Sequence, residues 1–300
     1  MLFRSNVRVS VSVWNDGKRL TNLIRMLLAI SKVLKISNID IAFFHMTEVD
    51  ACLALPFLKF KKIPSTLWYA HSYPSNYLKI FNLFGDIIFT STIGSCPIQS
   101  AKIRVIGQSI NQDTFYRPCK RLIEKSKFLT VGRIDKSKGI LEIIEALSRW
   151  KILRPEISLT IYGRTLNDQY SRDVQTLVAE KNRLFSMEWI YLNPFLKRSE
   201  LSKKFEEFDC FVHYFQGSLD KVLLEAASAG LPVVSINNQF NLEFHNRIKP
   251  NFDENLGDYF NSSESTLIAE INRIQRIIYE KHSLDNWVSL LSQELVQILN

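Results

Sequence analysis

Apolar side chains recur along this chain in two rhythms that alternate with each other. In the second half, short apolar runs at 128–131, 158–162, 187–191, 210–214 and 232–236 read as buried strands, and helices are predicted between them over 139–150, 169–181, 199–208 and 220–229. The first of these helices shows the reasoning: Ile140, Ile143, Ile144 and Leu147 recur one turn apart and so share one face. The first half follows the same rule, with strands at 7–13, 39–45, 66–71 and 86–90 and helices at 19–36, 49–60 and 76–84. Leu20, Leu23, Ile24, Leu27 and Leu28 give the first of those helices its apolar stripe. Two further helices, at 265–281 and 284–299, close the chain. Strands alternating with helices imply parallel sheets joined by right-handed crossovers, an α/β fold.

The chain's 300 residues exceed the length at which one hydrophobic core keeps growing, and 46% hydrophobic residues suffice for two cores. Two Rossmann-like domains are expected, 1–117 and 118–300, with the polar, basic stretch 111–127 as the hinge. No repeat short enough for a solenoid and no low-complexity tract interrupts them. The formal net charge of +8 favours anionic partners, but no recognition module for nucleic acid accompanies it, so nucleic acid is not an expected partner. Cys52, Cys96, Cys119 and Cys210 are scattered without metal or redox spacing, as in a cytoplasmic protein with reduced thiols. No apolar run reaches the ~18 to 20 residues that span a bilayer, and the start has no signal-peptide layout. Residues 56–62, PFLKFKK, mix apolar and basic side chains, which suits either a membrane-surface patch on the inner face of the cell membrane or a core helix with a solvated basic end.

The chemistry concentrates in two segments. In 217–235, GSLDKVLLEAASAGLPVVS, the turn Gly217-Ser218-Leu219 opens a helix carrying Val222, Leu223 and Ala226; Gly230 stops it and Pro232 begins a strand. Free amides and the positive end of the helix dipole suit a phosphate at such a turn, and Glu225 can turn a carboxylate to neighbouring hydroxyls. Alone, the segment fits an ordinary strand-turn-helix unit equally well. The second segment, 128–139, FLTVGRIDKSKG, has a strand ending at Gly132-Arg133, a polar loop, and Lys138-Gly139 at the head of a helix. A guanidinium and an ammonium there would sit at the carboxyl edge of an open sheet, where ligands bind, and could neutralise a pyrophosphate without a metal. Either one taken singly reads as readily as a solvated loop charge.

These segments, with SLTIYGR at 158–164, LWYAHS at 67–72, DIIFTST at 86–92 and IRVIGQSINQDTF at 103–115, resemble in order and spacing the family 4 retaining glycosyltransferases. The likeness extends over nearly the whole chain. It implies the GT-B fold, two Rossmann-like domains facing across a cleft, and transfer of a sugar from a UDP- or GDP-type donor to a glycan or lipid-linked acceptor, as in assembly of bacterial surface polysaccharide. It implies no cofactor and no bound metal, with which the absence of any Asp-x-Asp pair agrees. By the resemblance, Arg133, Lys138 and His71 are catalytic. Gly132, Gly163, Gly217, Ser218, Leu219, Asp220, Lys221 and Glu225 would bind the donor, with the nucleobase near Tyr162-Gly163-Arg164 and His45 on the acceptor side. His213 is expected to pack within its strand.

The chain departs from the family pattern in two places. Where the family usually has a glutamate, eight positions before Glu225, it has Gly217, and Asp220 or Lys221 is left to supply the missing side chain. The family's opening strand, glycine-rich loop and helix have no counterpart: before Pro118 the only glycines are Gly17, Gly85, Gly94 and Gly107. A shortened N-terminus is expected, the alternative being a different loop, Asn15-Asp16-Gly17-Lys18, in its place. Both departures leave open a catalytically impaired protein that only binds nucleotide sugar. Another enzyme of the same fold, an epimerase or a phosphorylase, fits less well.

Overall fold

The computed structural model describes residues 24–25, 28–30, 32, 39–119, 123–165 and 168–299. The predicted strand 7–13 and the loop from Asn15 to Lys18 lie outside the described residues. Residues 28–30, within the predicted first helix, are helical, and Ile30 packs on Ala54, Leu58 and Ile63.

Two parallel sheets organise the chain. The first holds β1 (Ala42–His45), β2 (Ser65–Trp68), β3 (Ile87–Thr90) and β4 (Ile103–Val105) in sequence order. Helices α1 (Glu48–Phe60) and α2 (Asn76–Phe84) cover one face, where Ala51, Leu55, Leu78 and Phe81 meet Leu67 and Ile88. After the short helix α3 (Gln112–Phe115), the second sheet begins with β5 (Lys127–Val131) and adds β6 (Ser158–Tyr162) and β7 (Ile190–Asn193) on one side. It adds β8 (Cys210–His213) and β9 (Val233–Ser235) on the other, giving the order β7-β6-β5-β8-β9. The connecting helices are α4 (Ile140–Leu153), α5 (Gln169–Leu184), α6 (Arg198–Lys204) and α7 (Lys221–Ser228). The two-residue period divides this sheet's core: Phe128, Leu159, Ile161 and Val212 pack on one face, Leu129 and Phe211 on the other.

Four helices follow β9 where two were predicted: α8 (Asn238–His245), α9 (Phe252–Asn261), α10 (Glu264–Ile277) and α11 (Leu284–Leu299). Asn237 and Asn251 start the two unforeseen ones by accepting amide protons on their side chains. The predicted helix 265–281 ends earlier, passing into a π-turn at Ile278–His282, and β2 stops at Trp68 short of His71. The stretch read as a hinge is packed for part of its length: Phe115 is buried, and the Arg117 amide donates to the Ser228 carbonyl at 3.0 Å.

Helix α11 returns to the first sheet and covers its second face. Trp287, Leu290, Leu291 and Leu295 lie against Trp68, Ile87, Phe89 and Ile106, with the Trp68 and Trp287 rings edge to face at 5.7 Å. Arg104 on β4 pairs with Glu294 at 3.0 Å. The chain's last helix thus completes the core of its first sheet. Half-burial of an indole removes roughly 100 Å² of apolar area from water, so Trp287→Ala should cost about 2 kcal/mol. The neighbouring Val288, 47% exposed, should tolerate alanine within about 0.5 kcal/mol. Chemical unfolding of the two variants measures the difference, and equal midpoints would mean that α11 is not part of the core.

Candidate active site

Strand order decides where a crevice opens. After β5 the chain builds outward in one direction through β6 and β7, then returns to the other side of β5 with β8. The loops leaving the carboxyl ends of β5 and β8 therefore emerge as neighbours and diverge, which opens the sheet at that edge. Lys138 lies in the first loop and Asp220 in the second.

After β5 the chain makes a 3₁₀ turn at Lys136–Lys138, capped by the Asp135 side chain, which accepts from the Ser137 amide at 2.9 Å. Gly139 then starts α4 with φ +58°, and a Cβ there would stand 2.4 Å from the Tyr214 ring, so only glycine fits. This pins Lys138 at the head of α4. Its ammonium makes an ion pair with Asp220 Oδ2 and lies 4.2 Å from the centre of the Phe215 ring. Arg133 is 67% exposed and, among the described residues, tied within its loop by Nε to Asp135 Oδ2 at 3.2 Å.

Asp220 is the residue before α7, but its carboxylate accepts no capping bond from the helix. It is turned to Lys138 and to His213 Nε2, 3.2 Å away. Burial alone would raise its pKa; His213 and Lys138 outweigh that and hold it well below the usual carboxylate range. His213 is buried in β8, as expected of a residue packed in its strand, with its pKa lowered by burial, and its Nδ1 lies 3.3 Å from Ser235 Oγ. A neutral ring with Nε2–H donating to Asp220 and Nδ1 accepting from Ser235 satisfies both contacts.

The turn before α7 is held from two sides. Asn237, fully buried just after β9, donates its amide to the carbonyls of Phe215 and Ser218 at 2.9 and 3.1 Å. Leu219 is buried against the first sheet's loops: its amide donates to Ser95 Oγ at 3.2 Å, and its carbonyl accepts from Gln108. Of the amides expected to grip a donor, that of Leu219 is therefore already committed. Gly217 faces the ring of Phe215, which a Cβ there would meet at 2.0 Å; the aromatic ring fills the direction a longer side chain would take. Lys221, expected as a stand-in for the missing glutamate, instead reaches across to Ser109 Oγ at 3.3 Å, and burial lowers its pKa. Thr92 Oγ1 donates to Gln239 Oε1 at 3.0 Å. These bonds join the loops after β3 and β4 to those after β8 and β9, so the carboxyl edges of the two sheets face each other.

Glu225, in the second turn of α7, is 1% exposed. Its Oε1 is 2.6 Å from Arg198 Nη1 without the geometry of a hydrogen bond. Burial pushes its pKa to about 7 against the pull of Arg198 and Lys221. Arg198, the first residue of α6, had no signal in the apolar pattern. Gly132 and Gly163 serve the backbone: the Gly132 amide donates to the Tyr162 carbonyl at 3.0 Å and that of Gly163 to Asn193 at 3.1 Å. A Cβ on Gly163 would come within 2.4 Å of the Gly132 carbonyl, so the strand ends touch because residue 163 is glycine. His71 stands apart from this group, exposed beyond β2, accepting the Tyr73 amide at 3.2 Å. His45 is exposed and stacks on Trp68 at 6.1 Å. Among the described residues, no three His, Cys, Asp or Glu side chains gather as metal ligands would.

Residues 115–251 match the family model of glycosyl transferases group 1, a span that contains the Lys138, Asp220 and Glu225 cluster. Among solved structures, the chain is similar to α,α-trehalose 6-phosphate synthase from Burkholderia multivorans, at 13% identity and a TM-score of 0.73 over 95% of this chain and 78% of that one. It is also similar to a glycosyltransferase from Rickettsia africae, at 16% identity and a TM-score of 0.70 over 97% and 85%. Anabaena HepE, solved in complex with UDP, aligns at 12% identity and a TM-score of 0.70 over 92% and 82%. No curated protein matches the sequence. The two facing parallel sheets are those of the GT-B fold.

Glu225 carries a pH signature. Well below its unfolded pKa of 4.5 the carboxyl is protonated in both states, whereas above about 7 the folded chain must hold a buried carboxylate. Its contribution to stability is present at low pH and lost as pH rises through 7. Glu225→Gln should therefore gain under ~1 kcal/mol over the parent near pH 5 and on the order of 3 kcal/mol near pH 8, from a shift of 4.5 to about 7. Thermal unfolding of both proteins across that range reads it; a gap independent of pH would show that the carboxyl titrates normally.

Proposed function

We propose that the chain is a retaining glycosyltransferase that moves a sugar from a UDP- or GDP-type donor to a glycan or lipid-linked acceptor, using neither metal nor cofactor. The observation that supports this most is the meeting of Lys138, the exposed Arg133 loop and the head of α7 at the sheet's opening, with Glu225 buried in the next turn. Two cations and a helix dipole suit a diphosphate. A buried carboxylate with no hydrogen bond on one of its oxygens among the described residues suits the paired hydroxyls of a ribose. The Anabaena neighbour's UDP complex is in keeping with that reading.

In this mechanism Arg133 and Lys138 take up the negative charge that grows on the diphosphate as its oxygen leaves the anomeric carbon with the bonding electron pair. The acceptor hydroxyl attacks from the same face, its oxygen bonds to that carbon, and its proton passes to the departing phosphate oxygen. The nucleoside diphosphate is released and configuration is retained. His71, exposed beyond β2, is assigned contact with the transferred sugar on the family resemblance alone, and the bonds that join Ser95, Gln108 and Ser109 to the α7 turn tie the loops of the two sheets together.

The acceptor's class bears on the surface at the end of α1. Phe60 is 89% exposed there, Phe57 is partly exposed, and Leu83 and Phe84 are exposed at the end of α2, with Lys61 and Lys62 alongside. Aromatic and basic groups together suit an anionic lipid surface, and the chain is proposed to work peripherally on the cytoplasmic face of a membrane. No helix among the described residues is long and apolar enough to cross one. Sedimentation with phosphatidylglycerol vesicles should lose most of its bound fraction on Phe60→Ser with Lys62→Ser. Binding unchanged by that pair would remove the membrane role.

Screening UDP- and GDP-sugars by thermal shift, followed by mass spectrometry of released nucleoside diphosphate, tests the activity. Lys138→Ala should weaken nucleoside-diphosphate binding at least about tenfold, the worth of a charged hydrogen bond. Glu225→Ala should abolish the shift produced by the nucleoside part. A donor that stabilises the protein but is never turned over would favour a binding protein, and affinity unchanged in Lys138→Ala would refute the site.

A further inference from the structure

The Lys138 ammonium is already occupied. Asp220 Oδ2 receives both the Lys138 Nζ contact and His213 Nε2 at 3.2 Å, and His213 is backed on its other nitrogen by Ser235 Oγ. Ser235 Oγ is itself fixed, accepting the Asn237 amide at 3.0 Å. Aspartate in this position before a helix ordinarily caps it, yet here the carboxylate leaves the α7 amides and turns to the lysine. Phe215 closes the other side of Lys138 at 4.2 Å, over the position where Gly217 leaves room for a ring. A carboxylate beside a helix head, gripped by a lysine and a histidine, brings to that lysine the negative charge that a phosphate oxygen would bring.

We propose that Asp220 is a built-in anion that occupies the phosphate position of the donor site, so that a nucleoside diphosphate enters only when Asp220 gives up Lys138. This rests on the donor-site reading of the preceding subsection and specifies how that site chooses its ligand. Two negative groups cannot share Lys138 without strong repulsion in a partly buried place, so the internal carboxylate competes with every phosphate ligand. It does not compete with the nucleoside, whose contacts lie at Glu225. The site is thereby biased against free pyrophosphate and simple phosphates. It favours ligands whose nucleoside and sugar contacts together outweigh the internal ion pair.

The discriminating variant is Asp220→Asn, which keeps the shape and an acceptor for His213 while removing the charge. Titration calorimetry with UDP, GDP, uridine, guanosine and inorganic pyrophosphate, on parent and variant, reads the effect, with circular dichroism confirming that both are folded. The diphosphates and pyrophosphate should bind the variant about tenfold more tightly, with the nucleosides unchanged. Asp220→Glu, which keeps the charge, should not show the gain, and Lys138→Ala in the Asp220→Asn background should abolish it. If the parent binds a nucleoside diphosphate and Asp220→Asn binds it equally or more weakly, Asp220 merely positions Lys138, and the internal-anion proposal fails while the donor site stands. If neither folded protein binds any nucleoside diphosphate, the donor site fails and this proposal with it.

Discussion

The adjacency of β5 and β8 is the constraint on which the site depends. They are hydrogen-bonded neighbours, Phe128 against Cys210 and Leu129 against Phe211, although the chain between them builds two other strands and three helices. Only because β8 returns to the inner side of β5 do Lys138 and Asp220 emerge side by side. The sheet's core fixes that adjacency: Phe128, Leu159 and Val212 are fully buried on one face and Leu129 and Phe211 on the other. A one-residue slip of β8 would exchange its two faces and carry His213 away from Asp220. The electrostatics at the mouth are thus held by apolar packing beneath it.

Above that base, the turn from Phe215 to Asp220 is shaped by backbone bonds more than by its own side chains. Asn237 accepts the Phe240 amide to start α8 and donates to the turn's carbonyls, so one buried amide links the end of β9 to the approach to α7. Ser95 and Gln108 take the N–H and the carbonyl of Leu219 from the opposite unit. The turn is thereby a shared part of both sheets. Any ligand that moves it must also act on the loops after β3 and β4, which gives a physical route from donor occupancy to the relation between the two units.

Much of this frame was legible in the chain. The elements with a clear period, such as α4 with Ile140, Ile143, Ile144 and Leu147, stand where the pattern puts them, and the last predicted helix is α11, which packs on the first sheet. β4, α8 and α9 were not read, because β4 has three half-exposed residues and the two helices depend on asparagine caps with little periodic signal before them. At the site, Lys138 and Glu225 could be placed from their position relative to predicted helix heads. The pairing of Asp220 with Lys138, 82 residues away, could not, since nothing local records which strands lie side by side. Arg198 escaped for the same reason: it matters only because α6 delivers it to Glu225.

The departure at Gly217 has a structural reading at this mouth. Gly217 carries no side chain toward the site; the Phe215 ring takes up that direction and leans on Lys138, and the negative charge that position usually carries reappears three residues later at Asp220. The charge has been moved from beside the donor's sugar to the lysine that would meet its phosphates. A lysine with an internal carboxylate partner has its charge compensated, which lowers the cost of keeping a cation there partly buried. Arg133, by contrast, is exposed and, among the described residues, paired with Asp135, so under the proposed function it would be the first cation to meet an incoming diphosphate. If the proposed donor site holds, capture by Arg133 followed by exchange of Asp220 for phosphate at Lys138 is the order of events that this distribution of burial favours.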